Sequence, residues 1–120
     1  MARQPAQPRV SITQETDDVT VFAFPRGQID GHAVRELYEQ VVQIIDHPNA
    51  CVLIDLDGIE IISSGAMGMC VTLKKKCLGV GAQMHVAVPR AQVMQQFQIM
   101  NLHMVLRLFV SRQEAVAAFE

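Results

Sequence analysis

Short apolar runs alternate with longer segments of helical periodicity along most of this sequence. Residues 51–56 (Cys-Val-Leu-Ile-Asp-Leu) are nearly all apolar, which is typical of a central strand covered on both faces. On either side, apolar side chains recur at the three- and four-residue steps of one helical face. These stripes are Val34, Leu37, Tyr38, Val41, Ile44 and Ile45 before the run, and Ala66, Met69, Cys70, Leu73 and Cys77 after it. Strands alternating with helices predict a mostly parallel sheet with right-handed crossovers.

The remaining segments extend this alternation. Residues 10–13 and 19–24 read as a β-hairpin around a polar turn, and residues 84–88 and 106–110 read as further strands. Gly79 is the predicted left-handed end of the second helix. Pro89 suits the first turn of a third helix, and Ser111 with Glu114 matches the capping box of a fourth. The third helix has the predicted buried face Val93, Met94, Phe97 and Met100.

The predicted order is therefore ββαβαβαβα, an α/β fold with a mostly parallel or mixed sheet of four to five strands and about four helices. The 120 residues fit one domain. Residues 1–8 are polar and contain Pro5 and Pro8, so we expect a flexible lead-in there and a single domain over residues 9–120.

Composition excludes several classes of protein. Hydrophobic residues make up 50% of the chain and charged residues 18%, which excludes intrinsic disorder. A formal net charge of -2 argues against direct nucleic-acid binding, which needs a basic field. The sequence lacks a signal-peptide core and any apolar run near the roughly 18 residues of a membrane span, so we expect a cytoplasmic protein without membrane insertion. The three cysteines form no Cys-x-x-Cys pair and are predicted to be buried, reduced thiols.

Motifs for metal, nucleotide or cofactor chemistry are lacking. The four histidines are widely separated, and no phosphate-binding Gly-rich loop precedes a Lys-Ser or Lys-Thr pair. We therefore predict no metal site, no cofactor and no enzymatic activity. The lysine run Lys74, Lys75 and Lys76 is predicted to lie in the last helical turn, where a solvated helix end is favoured over a binding patch.

Two serines lie where a strand meets the second helix. The run Ile62-Ser63-Ser64-Gly65 lacks the Gly-x-Ser-x-Gly of a hydrolase nucleophile elbow, although a small hydrolase stays an alternative. A serine in this place most often caps the helix. The same free amides and dipole also suit a phosphate, which would add about -1.5 to -2 charge. Such a charge on an exposed edge could block a docking partner and leave the core intact.

Three stretches within residues 10–119 resemble the STAS family, the domain shared by anti-sigma factor antagonists and sulphate-transporter tails. Residues 26–30 (Arg-Gly-Gln-Ile-Asp) resemble the family's Gly-x-x-Asp after its second strand. Residues 52–68, with Ile-Ser-Ser-Gly-Ala at 62–66, resemble its strand, loop and phosphoacceptor motif. Residues 81–84 and 100–102 resemble its later strand and a helix end. At Ile62 the sequence departs from the family, because many members have aspartate there.

The resemblance implies a bacterial, non-enzymatic anti-sigma factor antagonist. Unphosphorylated, such a domain binds an anti-sigma factor, often also a serine kinase of the ATPase-fold type, and so releases a sigma factor. Phosphorylation switches binding off, and a serine phosphatase restores it. The family's acceptor corresponds to Ser63, with Ser64 as the second candidate. The predicted partner-binding residues are Gly27, Asp30, Ser63, Ser64, Gly65 and Met67.

Two questions stay open at this point. The alternative function is a STAS scaffold subunit of a signalling or lipid/anion-transport complex, in which the serines are structural and Ile62 packs against a permanent partner. Met67 lies off the buried stripe and is predicted to be exposed. That exposure, together with the modest net charge, leaves a weak homodimer open.

Overall fold

The structure is a computed structural model that describes residues 10–16, 18–29, 31–46 and 49–120, so the predicted lead-in over residues 1–8 lies outside the described residues. These residues form seven strands and four α-helices. The strands are β1 (Ser11–Gln14), β2 (Val19–Ala23), β3 (Gly27–Gln28), β4 (Cys51–Asp55), β5 (Ile59–Ile61), β6 (Gln83–Ala87) and β7 (Arg107–Phe109). The helices are α1 (Gly31–Ile44), α2 (Ser64–Val80), α3 (Ala91–Ile99) and α4 (Arg112–Ala117), and a 3-10 helix spans Leu102–Met104. The predicted ββαβαβαβα order is confirmed, with β3, β5 and the 3-10 helix in addition.

Five strands form one mixed sheet in the order β1-β2-β4-β6-β7. The predicted hairpin is confirmed, since β1 pairs antiparallel with β2, whereas β2, β4, β6 and β7 run parallel. Strand β4 lies at the centre, and all five of its residues are buried. Its continuous apolar run therefore has the position that the sequence predicts.

The two faces of the sheet are covered differently. Alternate residues of β2, β4 and β6 join a large core with the buried faces of α1, α2 and α3. The opposite face packs against α4 and Phe119 and forms a smaller cluster around Val21, Leu53 and Ala115. Among the described residues, the crossover helices α1, α2 and α3 thus lie on one face of the sheet, and the short α4 lies on the other. The sequence predicted Met100, at the end of α3, to be buried, and that prediction is wrong, because it is 52% exposed.

A separate two-stranded parallel sheet pairs β3 with β5, with Gly27 opposite Ile59. The sequence did not predict this sheet, because strands of two and three residues are too short to show a period of two. This small sheet lies at the carboxyl end of β4 and leads directly into α2.

Helix α2 is longer than predicted. Gly81, with φ +76°, takes the left-handed end position, and the backbone N–H of Ala82 donates to the Cys77 carbonyl at 2.8 Å. The prediction that Gly79 ends the helix is wrong, because Gly79 lies inside its last turn. The lysine run therefore lies before the last turn, on a solvated side of α2, and the Lys76 ammonium is 5.9 Å from the Tyr38 ring centroid.

The three cysteines are buried and free, as predicted. Burial raises the pKa of Cys70 to about 12 and that of Cys77 to about 11, so both thiols stay protonated and unreactive. Within the described residues, no helix has the length and hydrophobicity that crossing a bilayer requires.

His85 of β6 is a buried polar side chain beneath α4. It is 1% exposed, and its ring stacks on Phe119 with centroids 3.9 Å apart. Its Nδ1 lies 2.8 Å from the carbonyl oxygen of Ala115. Because a carbonyl can only accept, the neutral ring must carry its proton on Nδ1. Its Nε2 has no hydrogen-bond partner in the part of the chain that the structure describes.

Burial lowers the pKa of His85 below the ordinary value of 6.5. The hydrogen bond to the Ala115 carbonyl opposes this shift, Arg107 and Lys74 add to it, and Glu120 opposes it. The ring is therefore neutral in the folded protein at neutral pH.

We expect the free energy of unfolding to fall as the pH drops below about 6.5, because there the unfolded chain binds a proton at His85 that the folded chain does not. The contribution of this one group is at most about 1.4 kcal/mol per pH unit. Urea unfolding at pH 7.5 and 5.0 measures it, with His85→Gln as the comparison. The variant should lose part of the pH dependence, and an identical pH dependence in both proteins would contradict this role of His85.

Candidate partner-binding site

Ser63 lies between β5 and α2 and is exposed to solvent. Its backbone is extended (φ -86°, ψ 160°), and it is the N-cap of α2. Its Oγ accepts a hydrogen bond from the Ala66 N–H at 3.1 Å, and its carbonyl accepts one from the Met67 N–H at 3.1 Å. The prediction that one of the two serines caps this helix is therefore confirmed for Ser63.

The surface next to Ser63 is formed by small residues. Ser64 and Gly65 are both exposed in the first turn of α2. A Cβ added to Gly65 would meet only the Ser63 Oγ, at 3.8 Å, and one added to Gly68 would meet nothing within 4 Å. A partner backbone can therefore approach the Ser63 hydroxyl closely from this side.

The two isoleucines before Ser63 face opposite ways. Ile61 is 60% exposed, whereas Ile62 is buried in the main core. Ile62 borders a groove between β5 and α3, together with Val93 and Gln96. The apolar residue that replaces the aspartate of many STAS domains is thus part of this chain's own core. The scaffold alternative expected Ile62 to pack against a partner, and this burial leaves little of the side chain for that contact.

Gly27 lies beside the segment that leads to Ser63. Its φ of +117° is in the region that favours glycine, and its N–H donates to the Gly58 carbonyl at 2.8 Å. Asp30, the other predicted partner-binding residue from the same motif, lies outside the described residues. The prediction that Met67 is exposed is wrong: it is 4% exposed and packs in the core. The first turn of α2 buries both Ala66 and Met67, so its buried arc is wider than one stripe.

An ion pair between a buried carboxylate and a half-exposed arginine anchors the start of the loop before Ser63. The Asp55 carboxylate ends β4 and is buried, and the Arg112 Nε donates to its Oδ2 at 2.7 Å. The other carboxylate oxygen accepts the Asp57 N–H at 3.0 Å. The Arg112 Nη1 also lies 3.6 Å from the Glu15 carboxylate. Removing Arg112 would leave the buried Asp55 carboxylate without this hydrogen-bond donor, which is destabilising.

A second arginine and a glycine fix the rest of this loop. The Arg90 Nε donates to the Asp57 carbonyl at 3.1 Å. A Cβ added to Gly58 would lie 3.1 Å from the Phe24 carbonyl oxygen, so the chain passes too closely for a larger residue to fit without movement. The loop that presents Ser63 is thus held on several sides. Sequence reasoning missed Asp55, although a carboxylate inside a strand buried on both faces signals a partner elsewhere in the chain.

The arrangement does not provide the contacts of a catalytic triad. Within the described residues, no histidine or carboxylate is hydrogen-bonded to the Ser63 Oγ, which accepts a hydrogen bond from the Ala66 backbone amide. The same residues contain no cluster of three or more His, Cys, Asp or Glu side chains that could hold a metal ion. What the geometry offers is an exposed hydroxyl at a helix N-terminus.

A family model for the STAS domain matches residues 11–115. The chain belongs to the STAS domain family. The resemblance stated from residues 26–30 and 52–68 is therefore confirmed, and so is the fold that it implied. Comparison with curated proteins found no match.

Solved STAS structures share this fold at low sequence identity. An anti-sigma-factor antagonist domain protein from Planctomyces limnophilus has 22% identity and a TM-score of 0.75, over 92% of this chain and 97% of that one. The unphosphorylated anti-sigma factor antagonist SpoIIAA has 14% identity and a TM-score of 0.69, over 90% and 94%. SpoIIAA of Bacillus is also known in a phosphorylated form. A sulfate transporter family protein from Wolinella succinogenes has 13% identity and a TM-score of 0.69, over 88% and 87%.

Replacing the cap tests the local geometry of this STAS domain. Ser63→Ala should lower the free energy of unfolding by about 1 kcal/mol, because the Ala66 N–H loses its acceptor. Ser63→Asp should stay within about 0.5 kcal/mol of wild type, because a carboxylate can cap the helix and favours its positive end. Urea unfolding measures both, with Ser64→Ala as the control that removes a hydroxyl without a cap. Equal stability of Ser63→Ala and Ser64→Ala would contradict the capping role.

Proposed function

We propose that this STAS domain is an anti-sigma factor antagonist. In its unphosphorylated form it binds an anti-sigma factor that is also a serine kinase, and the sigma factor is released. Phosphorylation of Ser63 ends that binding, a serine phosphatase restores it, and the exchange takes place in the cytoplasm. The observation that carries the proposal is the exposed Ser63 hydroxyl at the N-terminus of α2, on a loop that side-chain hydrogen bonds from Arg90 and Arg112 hold in place.

The N-terminus of α2 can accept a phosphate without loss of the helix. The first backbone N–H groups of an α-helix have no partner within the helix, and the helix dipole places partial positive charge there. A phosphoryl group on the Ser63 Oγ would lie beside these donors and add about -1.5 to -2 charge. The modified domain therefore keeps its fold, and its surface changes.

The added charge would act on the partner through desolvation and repulsion. A docking protein must remove water from the surface that it covers, and a dianion at its centre makes that removal costly. Glu60, three residues before Ser63, pairs with Arg26. The Arg26 Nε and Glu60 Oε1 atoms are 3.2 Å apart, so the two charges offset each other. Many STAS domains have an aspartate where this chain has Ile62. Compared with those domains, the unphosphorylated form of this one has one negative charge fewer near the serine.

The proposed docking surface comprises Gly27, Asp30, Ser63, Ser64 and Gly65. Ser63, Ser64 and Gly65 are exposed. Asp30 is included in this surface because of the family resemblance of residues 26–30. Met67 supports it from beneath, through core packing, and offers almost no area to a partner.

The alternative is a scaffold subunit in a transport or signalling complex. The structural likeness to the sulfate transporter family protein from Wolinella succinogenes favours it. Mass spectrometry of the protein that co-purifies with this chain separates the two functions. An ATPase-fold regulator supports the antagonist, and a transporter component supports the scaffold.

Ser63→Asp should weaken binding to the co-purified regulator by more than tenfold, about 1.4 kcal/mol, because the carboxylate places charge in the docking surface. Ser63→Ala should bind within about twofold of wild type and should not be phosphorylated when the regulator and ATP are added. Calorimetry measures the affinities, and mass spectrometry maps the modified residue.

The matched control is Ser111→Asp, which makes the same change at the N-cap of α4, where the Ser111 Oγ accepts the Glu114 N–H at 3.1 Å. It should bind like wild type. Wild-type affinity in Ser63→Asp would contradict the switch, and a phosphate mapped to Ser64 would move the acceptor by one residue.

A further inference from the structure

Helix α4 covers a buried histidine whose hydrogen bonding is incomplete. His85 of β6 is 1% exposed, and its Nδ1 lies 2.8 Å from the carbonyl oxygen of Ala115 in α4. Its Nε2 is buried and has no hydrogen-bond partner among the described residues. A buried polar atom without a partner is costly, and a charged one is costlier still. The contact between this ring and α4 is therefore sensitive to the protonation of His85.

Protonation would give the His85 ring a second N–H and a positive charge. The imidazolium donates from both nitrogens, but only Nδ1 has an acceptor in the described part of the chain. The Phe119 ring stacks on it, with centroids 3.9 Å apart and 4° between the planes, and so shields that face from water. Attraction between a charged ring and an aromatic face is weaker than the cost of taking the charge out of water. The docked position of α4 therefore favours the neutral ring.

The charges near His85 do not provide it with a dedicated counter-ion. The titratable and charged groups of the elements packed against His85 are Cys51 and Asp55 of β4, Lys74 of α2, Arg107 of β7, Arg112 and Glu114 of α4, and Glu120 after α4. Besides burial, Arg107 and Lys74 oppose a positive ring, whereas Glu120 favours it. The Asp55 carboxylate already accepts a hydrogen bond from Arg112, at 2.7 Å.

Helix α4 and the residues after it form a small unit that can leave the sheet separately. The helix has six residues, which is too short for a stable helix in water. Arg112 binds Asp55 at its start. Beyond its end, the Gln83 side chain makes two hydrogen bonds with the backbone of Glu120, at 2.9 and 3.2 Å. The apolar contacts of α4 belong to the smaller of the two core clusters. Its release therefore leaves the main core on the other face of the sheet intact.

We propose that protonation of His85 releases α4 and residues 118–120 from the sheet. In the released form both ring nitrogens reach water, and so does the Ala115 carbonyl. Arg112 leaves together with α4, so Asp55 loses the donor that anchors the start of the loop before Ser63. The release is independent of the proposed function, because it changes the support of Ser63 whichever partner binds there.

The direction of the pH effect follows from proton linkage. The released ring has the ordinary pKa of about 6.5, and burial lowers the pKa of the docked ring. Above about pH 6.5 both forms are neutral, and α4 stays on the sheet. Below that pH the released form binds a proton that the docked form does not. Each further pH unit therefore favours release by up to about tenfold.

Amide hydrogen exchange measured by NMR tests the release, because it reports the opening of each backbone amide separately. The reporters in α4 are the amides of Ala115 and Ala118, which donate to Ser111 and Glu114 at 3.1 Å. After correction for the intrinsic pH dependence of exchange, their protection should fall about ten- to thirtyfold between pH 7.5 and 5.0. The amides of β4 should stay at least about a hundredfold better protected at both pH values, since they open only with the whole domain.

His85→Gln separates the release from other effects of pH. The glutamine amide can donate to the Ala115 carbonyl and does not titrate, so α4 protection should change less than about threefold over the same range. His85→Phe, which also does not titrate, replaces this variant if circular dichroism shows that it does not fold. His103→Gln is the matched control, because His103 is exposed in the 3-10 helix, and it should keep the wild-type pH dependence.

The amide of Asp57 reports whether the release reaches the loop, because it donates to the Asp55 carboxylate at 3.0 Å. Its protection should fall with that of α4 in wild type and should stay constant in His85→Gln. Equal pH dependence of α4 protection in wild type and the His85 variant would overturn the proposal. Protection of α4 equal to that of β4 at pH 5.0 would overturn it too, because α4 would then open only with the whole domain. An Asp57 amide that does not follow α4 would contradict the loss of the anchor at Asp55.

Discussion

Strand β4 is buried along its whole length between two parallel neighbours, and the positions of the functional groups depend on it. Its apolar side chains draw the crossover helices onto one face of the sheet and α4 onto the other. Its last residue, Asp55, carries a carboxylate into this buried position, where the charge needs a partner. Arg112 of α4 supplies it at 2.7 Å, so the helix that covers the second face also fixes the loop towards Ser63.

The loop after β4 places the Ser63 hydroxyl at the N-terminus of α2, and backbone groups of Gly58 and Ser63 already accept hydrogen bonds there. The parallel pairing of β3 with β5 places Gly27 beside the same segment, and at Gly58 a side chain would fit only if the neighbouring backbone moved. A modification at Ser63 therefore acts on a rigid support. The switch that we propose changes the charge of the surface and leaves the packing beneath it as it is.

The sequence predicted the elements well where a pattern repeats within one segment. Helix α1, strand β4 and the capping serine before α4 each follow from local periodicity or local hydrogen-bonding chemistry. Contacts between distant residues were not predictable in this way, and the pair of Asp55 with Arg112, 57 positions apart, is the main example. At the end of α2 the difficulty was a choice between two nearby glycines. Gly81 has the left-handed backbone, and Gly79 lies within the last helical turn. Met67 was misplaced because the sheet and the neighbouring helices together bury a wider arc of α2 than one stripe.

The candidate site shows how a family fold admits local change. With identities of 13% to 22% to solved STAS structures, the shared feature is the arrangement of strands and helices, and function depends on the residues at the site. Here Ile62 completes the core where many relatives have an aspartate. Ser63, the next residue, caps α2 and is exposed to solvent.

Hydrogen exchange on protein with phosphoserine incorporated at position 63 tests the central claim most directly. If the N-terminus of α2 accommodates the dianion, the backbone amides of its first turn, including that of Ala66, should exchange as slowly as in the unmodified protein or more slowly. The core strands should be unchanged. Faster exchange throughout the first turns of α2 would show that the phosphate unfolds the helix start, and would contradict a switch that acts on surface charge alone.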